Sequence, residues 1–375
     1  MFEHYEVFAR VGASTDIVRK EMYEFEDRGG RHLALRPEGT GSVVRAFVEH
    51  RPTTPWKVWY VAPNFRAEAP QAGRYRQHFQ LGVEALGSDD PDLDVEVITL
   101  LARFYEALRL TRVRLLLNSL GDRASRPSYL DALRTYFEAH RGSLSKQSLE
   151  TLEINPLRVL DSKRPEDQEI VAGAPVMVDH LSAEAAQHFE RVRAGLERLG
   201  VAYELAPRLV RGLDYYTRTT FEFAADALDA SQNAAGGGGR YDGLAEQMGG
   251  PPTPGIGFGA GIERILAACD AEDAFPVSAA AVDAFVIDVV DGTQALELTH
   301  ELRAADVRAD RAFDGRSMRS QMKQADRAGA RLALIVGEQE VADGTVTVRD
   351  LESSQQEVVA RADVVAHVRK QVEDR

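Results

Sequence analysis

Apolar residues along this chain keep two periods, and the changes between them divide it into segments. The first thirty residues are polar and poorly periodic until Lys20-Glu21-Met22-Tyr23-Glu24-Phe25, which alternates as a strand does. Asp27-Arg28-Gly29-Gly30 is a turn signal, and His32 to Leu35 alternates again, which predicts a hairpin. From Thr40 to His50, Val43, Val44, Phe47 and Val48 recur at helical spacing. Trp56 to Ala62 predicts a strand, a charged hairpin follows, and Gln77 to Ala85 predicts the return strand. Asp92 to Leu110 reads as a long amphipathic helix whose first turn carries acids, where the helix dipole favours them. Val113 to Asn118 predicts another strand, and the helical period then dominates to about Ile154.

A charged, mostly helical stretch runs from Leu157 to Pro207, and strand character returns from Arg208 to Phe223. The glycine run 236–239 precedes a short helix at Tyr241 to Met248; Ile256 to Gly259 predicts a strand, and Gly261 opens a helix through Ala268. From Asp283 the pattern becomes regular strand–helix alternation. Strands are expected at Ala284–Val290, Arg308–Ala312 and Leu332–Val336, with two more around Val346 and Val358. Helices are expected at Thr293–Ala304, Arg316–Ala328 and Ala362–Val372, which together imply a small, mostly parallel α/β domain. The expected organisation is a core in two parts, 1–156 and 208–269, a helical insertion at 157–207, a linker at 270–282, and a terminal α/β domain at 283–375.

Composition removes several function classes. A length of 375 residues suits two or three domains, and 44% hydrophobic residues suit a globular chain. The net charge is −14, from 45 Lys+Arg against 59 Asp+Glu, which argues against nucleic-acid binding by overall charge and leaves a local basic groove open. Cys269 is the single cysteine, so neither an intrachain disulfide nor a cysteine-cluster metal site is available. No run approaches the roughly 18 apolar residues of a membrane span, and no signal segment opens the chain; a cytoplasmic location is expected.

The chemistry lies in polar, glycine-punctuated stretches. Gly-x-x-x-x-Gly-Lys-Ser/Thr is absent, the glycines of Gly257-Phe258-Gly259 do not fit a dinucleotide loop, and no histidine cluster has metal-ligand spacing. Arginine instead occupies three settings suited to phosphate: Arg66, Arg211 and Arg264. A lone arginine is commonly a surface ion pair, but glycines and aromatics beside these three would let a ligand approach the backbone, and a guanidinium is a fixed, forked cation.

Five stretches in order carry a family resemblance: Leu35 to Thr40, Arg66 to Glu84, Leu209 to Thr217, Gly238 to Gly243, and Gly257 to Arg264. The chain resembles the histidyl-tRNA synthetases, which are class II aminoacyl-tRNA synthetases. Phe65-Arg66-x-Glu68 with Arg74, Gln80 and Glu84 is similar to motif 2, and Gly257 to Arg264 to motif 3. Arg211-Gly212-Leu213-Asp214-Tyr215-Tyr216 and Gly238-Gly239-Arg240-Tyr241-Asp242 resemble the two stretches peculiar to the histidine enzymes. Arg316-Ser317-Met318, Gly329-Ala330-Arg331 and Gly344-Thr345-Val346 resemble the anticodon-binding domain.

The resemblance implies an α+β fold: a six-stranded antiparallel sheet core with flanking helices and a helical insertion, followed by an α/β anticodon-binding domain. It implies ATP as substrate with Mg2+, histidine and tRNA-His as partners, and a homodimer without membrane attachment. By the same resemblance Arg66 holds the α-phosphate and Arg264 the γ-phosphate side of a bent ATP, while Glu68 faces the adenine amino group. Arg211 stabilises charge on the α-phosphate as the histidine carboxylate attacks. Glu38, Thr40 and Gln80 take the α-ammonium; Glu84 and Tyr216 bracket the imidazole. Tyr215 and Tyr241 stand beside them as ligand or core, and Asp242 as a helix cap or a partner for Arg240. Gln71 and Arg74 face the tRNA acceptor end.

Three departures accompany the resemblance. Met1-Phe2-Glu3-His4 resembles the end of motif 1, so the interface helix that precedes it in the family is expected to be missing here, by truncation, start-site choice or loss. Arg10-Val11-Gly12 is one residue short of the family's pattern. Gln77-His78-Phe79-Gln80 inverts the expected order of aromatic and histidine, which leaves either His78 or Phe79 to stack on adenine. Two other readings remain: a regulatory subunit of ATP phosphoribosyltransferase built on the same fold, and an inactive truncated paralogue.

Overall fold

The computed structural model describes residues 1–12, 17–68, 73, 75–162, 164–210, 215–229, 233–274 and 282–373. They divide into two compact units, Met1–Phe275 and Pro276–Arg375.

In the first unit β1 (Phe2–His4), β2 (Glu24–Glu26) and β3 (His32–Leu35) form a small antiparallel sheet in the order β1-β3-β2. The main sheet is built from β4 (Trp56–Phe65), β5 (Gln77–Leu86), β6 (Val113–Ser119), β7 (Glu204–Leu205), β8 (Thr217–Ala225), β9 (Ala234–Arg240) and β10 (Gly255–Gly261). Their order is β4-β5-β10-β9-β8-β6-β7. The first six are mutually antiparallel, and the two-residue β7 joins β6 in parallel. This is the expected antiparallel core with one short strand added at its edge.

One face of the sheet is sealed by the helix Pro91–Ala107. Proline opens that helix and Asp90 caps it by accepting from the Asp92 amide. Its Ile98 and Leu101 bury against Leu117, Phe221, Ile256 and Ala260 of the sheet, and the helix Ala183–Arg198 adds Val192 and Leu196. A separate apolar core collects Tyr129, Leu133, Phe137, Leu152, Leu157, Val159, Ile170 and Met177 from short helices. Those side chains come from both sides of position 157, where the sequence pattern begins the helical block.

Three local expectations change, the first being that the strand expected from Arg208 begins only at Thr217. Lys20 and Glu21 belong to a π-helical turn, Ile17–Glu21, and the strand begins only at Glu24. The glycine run 236–239 is not a lead-in to a helix but most of β9, a central strand, and the helix behind it shrinks to Leu244–Gln247. Glycine is depleted in strands by propensity, yet here crowding demands it. A Cβ on Gly238 would stand 1.9 Å from the Gly257 carbonyl oxygen and 2.7 Å from Phe258 Cα.

The second unit contains β11 (Ala284–Asp288), β12 (Ala309–Arg311), β13 (Leu332–Val336), β14 (Thr345–Asp350) and β15 (Gln356–Ala360) in the order β12-β11-β13-β14-β15. The first three are parallel, and β14 and β15 extend the sheet antiparallel. Helices Thr293–Ala304, Met318–Arg327 and Val364–Glu373 cross it, joined by a short Glu338–Asp343 helix that the apolar pattern does not reveal.

Candidate active site

Strand alternation puts His78, Gln80, Gly82 and Glu84 of β5 on one face of the main sheet. Register places Tyr60 of β4 opposite Gly82, Gly257 of β10 opposite Glu84, and Gly239 of β9 opposite Gly257. The face is therefore polar on β5 and bare on β10. A Cβ on Gly257 would fall 1.9 Å from Glu84 Oε2, and one on Gly259 2.1 Å from Gln80 Nε2. Any side chain there would fill the space that the Glu84 carboxyl and the Gln80 amide occupy.

Glu84 has no solvent exposure. Its Oε1 accepts from Thr40 Oγ1 at 2.7 Å and from Tyr60 OH at 3.3 Å, and its Oε2 accepts from Tyr241 OH at 2.6 Å. Burial pushes its pKa up to about 8 against the pull of those hydroxyls, and the nearby Glu38 charge adds to the rise. Glu38, itself buried, accepts from the amides of Thr40 and Gly41 at 2.7 Å each, at the start of the helix Thr40–His50. Its pKa also rises, through burial, with the two amide bonds opposing.

Four tyrosines wall this pocket. The Tyr60 ring lies over Gly82 and Gly39, where an added Cβ would come within 2.0 and 2.3 Å of it. Tyr241 packs over Gly255 and Tyr216 over Gly239. Tyr215 and Tyr216 are in ring contact at 4.6 Å, and Tyr215 meets Tyr241 edge-on at 5.9 Å. The Glu84 carboxyl lies over Gly257, and the Tyr216 ring stands over Gly239, the next glycine across the sheet.

A cationic end adjoins the pocket. Arg66 Nε donates to the Pro37 carbonyl at 3.0 Å. Arg264, at the start of the helix Ile262–Ala271, donates to Gly73 O at 3.1 Å and Ala234 O at 2.8 Å. His78 feels both: burial first, then the Arg66 and Arg264 charges, push its pKa down to about 4, so its ring is neutral near pH 7. His78 shares the face of Gln80 and Glu84. Phe79 points to the opposite face, half exposed, with its amide donating to Glu263 Oε1 at 2.7 Å. Glu68 lies in the segment after β4, where its carbonyl accepts from Arg76 at 3.4 Å.

The structure thus gathers Glu38, Thr40, Gln80, Glu84, Tyr215, Tyr216 and Tyr241 around one pocket, with Arg66, His78 and Arg264 beside it. Arg211, Gln71 and Arg74 lie outside the described residues. Sequence reasoning missed Tyr60 and Asn64, whose Nδ2 donates to Gln80 Oε1 at 2.8 Å. Both fall on the even positions of β4, a signal present in the alternation, but their partners follow only from register. Asp242 bonds Arg240 at 3.2 Å, as a partner and not a cap. Among the described residues no group of three or more His, Cys, Asp or Glu could hold a metal ion, and no helix is long and apolar enough to cross a membrane.

The second unit has a cavity of about 450 Å3 beyond the carboxyl ends of β11 and β12, lined by Asp288, Arg311, Phe313, Arg316 and Gln321 among others. It lies where the connections from β11 and β12 diverge to opposite sides of β11, the usual ligand position in parallel sheets. The Arg311 guanidinium sits 4.6 Å from the centre of the exposed Phe313 ring. Exposed Arg319, Lys323 and Arg327 follow at four-residue spacing on the next helix.

Comparison with known proteins returns the same partition. A family model described as histidyl-tRNA synthetase matches residues 1–265, and one described as an anticodon binding domain matches 283–371. The chain is 50% identical to the histidine–tRNA ligase of Corynebacterium urealyticum over 99% of its own length and 88% of that protein's. It is 50% identical to that of Saccharopolyspora erythraea, over 99% and 89%. The crystal structure of apo Staphylococcus aureus histidyl-tRNA synthetase is similar at a TM-score of 0.76 and 35% identity, covering 98% of this chain and 89% of that one. An ATP phosphoribosyltransferase regulatory subunit/histidyl-tRNA synthetase from Bacillus halodurans shares the fold, at a TM-score of 0.63 and 20% identity.

Proposed function

The chain belongs to the histidyl-tRNA synthetase family, and from that premise we propose that it is a histidine–tRNA ligase. It joins histidine to ATP as histidyl-adenylate and then passes histidine to the 3′ end of tRNA-His in the cytoplasm. The observation that carries the reading is the buried Glu84, ringed by three hydroxyls and facing a glycine floor. This is a site for a ring that offers an N–H to a carboxylate.

In the first step the substrate carboxylate oxygen attacks the α-phosphorus of ATP, and the bond to the bridging oxygen breaks, releasing pyrophosphate. Glu38, Thr40 and Gln80 hold the α-ammonium, and Glu84 and Tyr216 bracket the imidazole, with Tyr60 and Tyr241 fixing the Glu84 carboxylate. Arg66 and Arg211 take the α-phosphate and Arg264 the γ-phosphate side, with Glu68 toward the adenine amino group. Fixed cations need no proton transfer to neutralise the developing charge. Magnesium enters with ATP, held mainly by phosphate oxygens and water. In the second step a terminal ribose hydroxyl of the tRNA attacks the carbonyl and AMP leaves, with Gln71 and Arg74 toward the acceptor end. The geometry favours His78 over Phe79 as the ring stacked on adenine, because His78 is neutral, flanked by Arg66 and Arg264, and on the site face.

The cavity around Phe313 and the cations of the following helix suit the tRNA: an aromatic face for an unstacked base and a row of charges for phosphates. The Phe313→Ala variant is expected to bind tRNA about tenfold more weakly in filter binding at fixed salt, on the scale of one lost base stack. An unchanged affinity would place the contact elsewhere. The apolar side chains Trp59, Val61 and Phe79, exposed on one face of β4 and β5, are assigned to a second copy of the chain, since bare apolar patches of this kind mark interfaces. Sedimentation is expected to give a dimer.

The function is tested by exchange of labelled pyrophosphate into ATP. Exchange is expected with histidine and with none of the other amino acids. A chain that binds histidine but exchanges nothing would instead be a regulatory or inactive relative.

A further inference from the structure

Behind the pocket, on the opposite face of the sheet, a charged cluster is buried that the reaction does not use. Arg240, the last residue of β9, has no solvent exposure, and neither has Asp94 of the helix Pro91–Ala107. Arg240 Nε donates to Asp94 Oδ1 at 3.0 Å, and Nη2 donates to the same carboxylate. Nη1 donates to Asp242 Oδ1 at 3.2 Å and to the Ser88 carbonyl at 3.0 Å, and Nη2 to the Asp90 carbonyl at 3.3 Å. All three nitrogens are therefore tied to one loop and the helix it opens. His188, reaching in from the helix Ala183–Arg198, sets its Nε2 3.5 Å from Asp94 Oδ2 and makes no hydrogen bond at either ring nitrogen.

A buried ion pair is poor value for stability alone, because well-packed apolar residues of similar size do as well or better. Its use here follows from alternation. Arg240 and Asp242 flank Tyr241, so anchoring both neighbours fixes the tyrosine between them on the other face. That residue's amide donates to Gly255 O at 2.7 Å, its ring is seated on Gly255, and its hydroxyl supplies the 2.6 Å bond to Glu84 Oε2.

We infer that Arg240 and Asp94 are positioning residues for amino-acid selection: by clamping the end of β9 to the Pro91–Ala107 helix they set the Tyr241 hydroxyl on Glu84, and so aim the carboxylate at the ring N–H of the substrate. The inference rests on the histidine-activating function proposed above and adds residues that touch no substrate.

The pair is best exchanged as a unit, Arg240→Met with Asp94→Leu, because either single change strands a buried charge. The measurements are KM for histidine and for ATP in pyrophosphate exchange, and the stabilisation by histidine in a thermal melt. Tyr241→Phe is made in both backgrounds. In the parent, Tyr241→Phe is expected to raise the histidine KM about tenfold, the scale of one hydrogen bond to a charged group. The pair exchange is expected to do the same with the ATP KM within about twofold, and Tyr241→Phe added to it to change the histidine KM by less than about twofold, since coupled residues are not additive. A histidine KM that stays at the parent value, or effects that multiply, overturns the clamp. Should the pair variant not fold, Asp242→Asn decides: its side chain is partly exposed, and a rise of about threefold in the histidine KM alone is expected. No rise overturns the inference. A parent chain that neither exchanges nor is stabilised by histidine removes the functional reading itself, an outcome distinct from an active parent with an indifferent clamp.

Discussion

Glu84→Gln is expected to lower kcat/KM for histidine by about 10²–10³-fold while raising the stability of the free protein at alkaline pH. The first effect arises because the substrate must draw the proton from Glu84 so that the carboxylate can accept from its ring N–H, a change a neutral amide cannot make inside a dry pocket, where unmatched polar groups are penalised heavily. The second follows from proton linkage. In the unfolded chain this carboxyl titrates near its ordinary value of 4.5, and in the folded protein at about 8. Between those values the folded state keeps a proton that the unfolded chain has lost, so stability falls as pH rises from about 5 to 8. Glutamine carries no such proton. The variant should therefore gain on the parent by on the order of 4 kcal/mol at pH 8 to 9, and by little at pH 5. Melting curves of both proteins without ligand at the two pH values read this directly, and a gap that does not widen with pH removes the argument. Activity and stability moving in opposite directions would mark Glu84 as a residue kept for its chemistry at the expense of the fold.

Arg66→Ala is expected to reduce kcat by about 10²–10³-fold, the usual cost of deleting one preorganised charge-stabilising group. Arg66→Lys should recover only part of it, since an ammonium carries the charge but not the fork that reaches the Pro37 carbonyl and a phosphate together. Single-turnover formation of the adenylate separates this from slow product release. His78 supplies a second readout that needs no catalysis. The Arg66 charge is one cause of its lowered pKa, so the alanine variant should move the ring titration upward from about 4, as followed by NMR. A ring that titrates unchanged would place Arg66 away from the adenine end.

Much of this protein could be read from the order of its residues. Helices such as Thr40–His50 and Thr293–Ala304 and strands such as Leu332–Val336 follow from apolar spacing, because a face that must be buried imposes its period on the sequence. Glu38, Thr40, Gln80 and Glu84 were marked by the family resemblance and not by periodicity, and the structure brings them to the start of the helix Thr40–His50 and one face of β5.

What the sequence could not determine is everything that depends on register. Gly236–Gly239 looks like a flexible lead-in, and only the neighbouring strands, approaching within 2 Å of where a side chain would stand, make it a central strand. Tyr60 reads as one aromatic among several until it is placed opposite Gly82, and His78 and Phe79 are interchangeable until the pleat sends them to opposite faces. Asp94 and Arg240 lie 146 residues apart and meet only because a helix crosses behind β9. Periodicity is local and is written in the chain; the pairing of distant strands, and with it the Glu84 pocket, is decided by which faces the tertiary structure brings together.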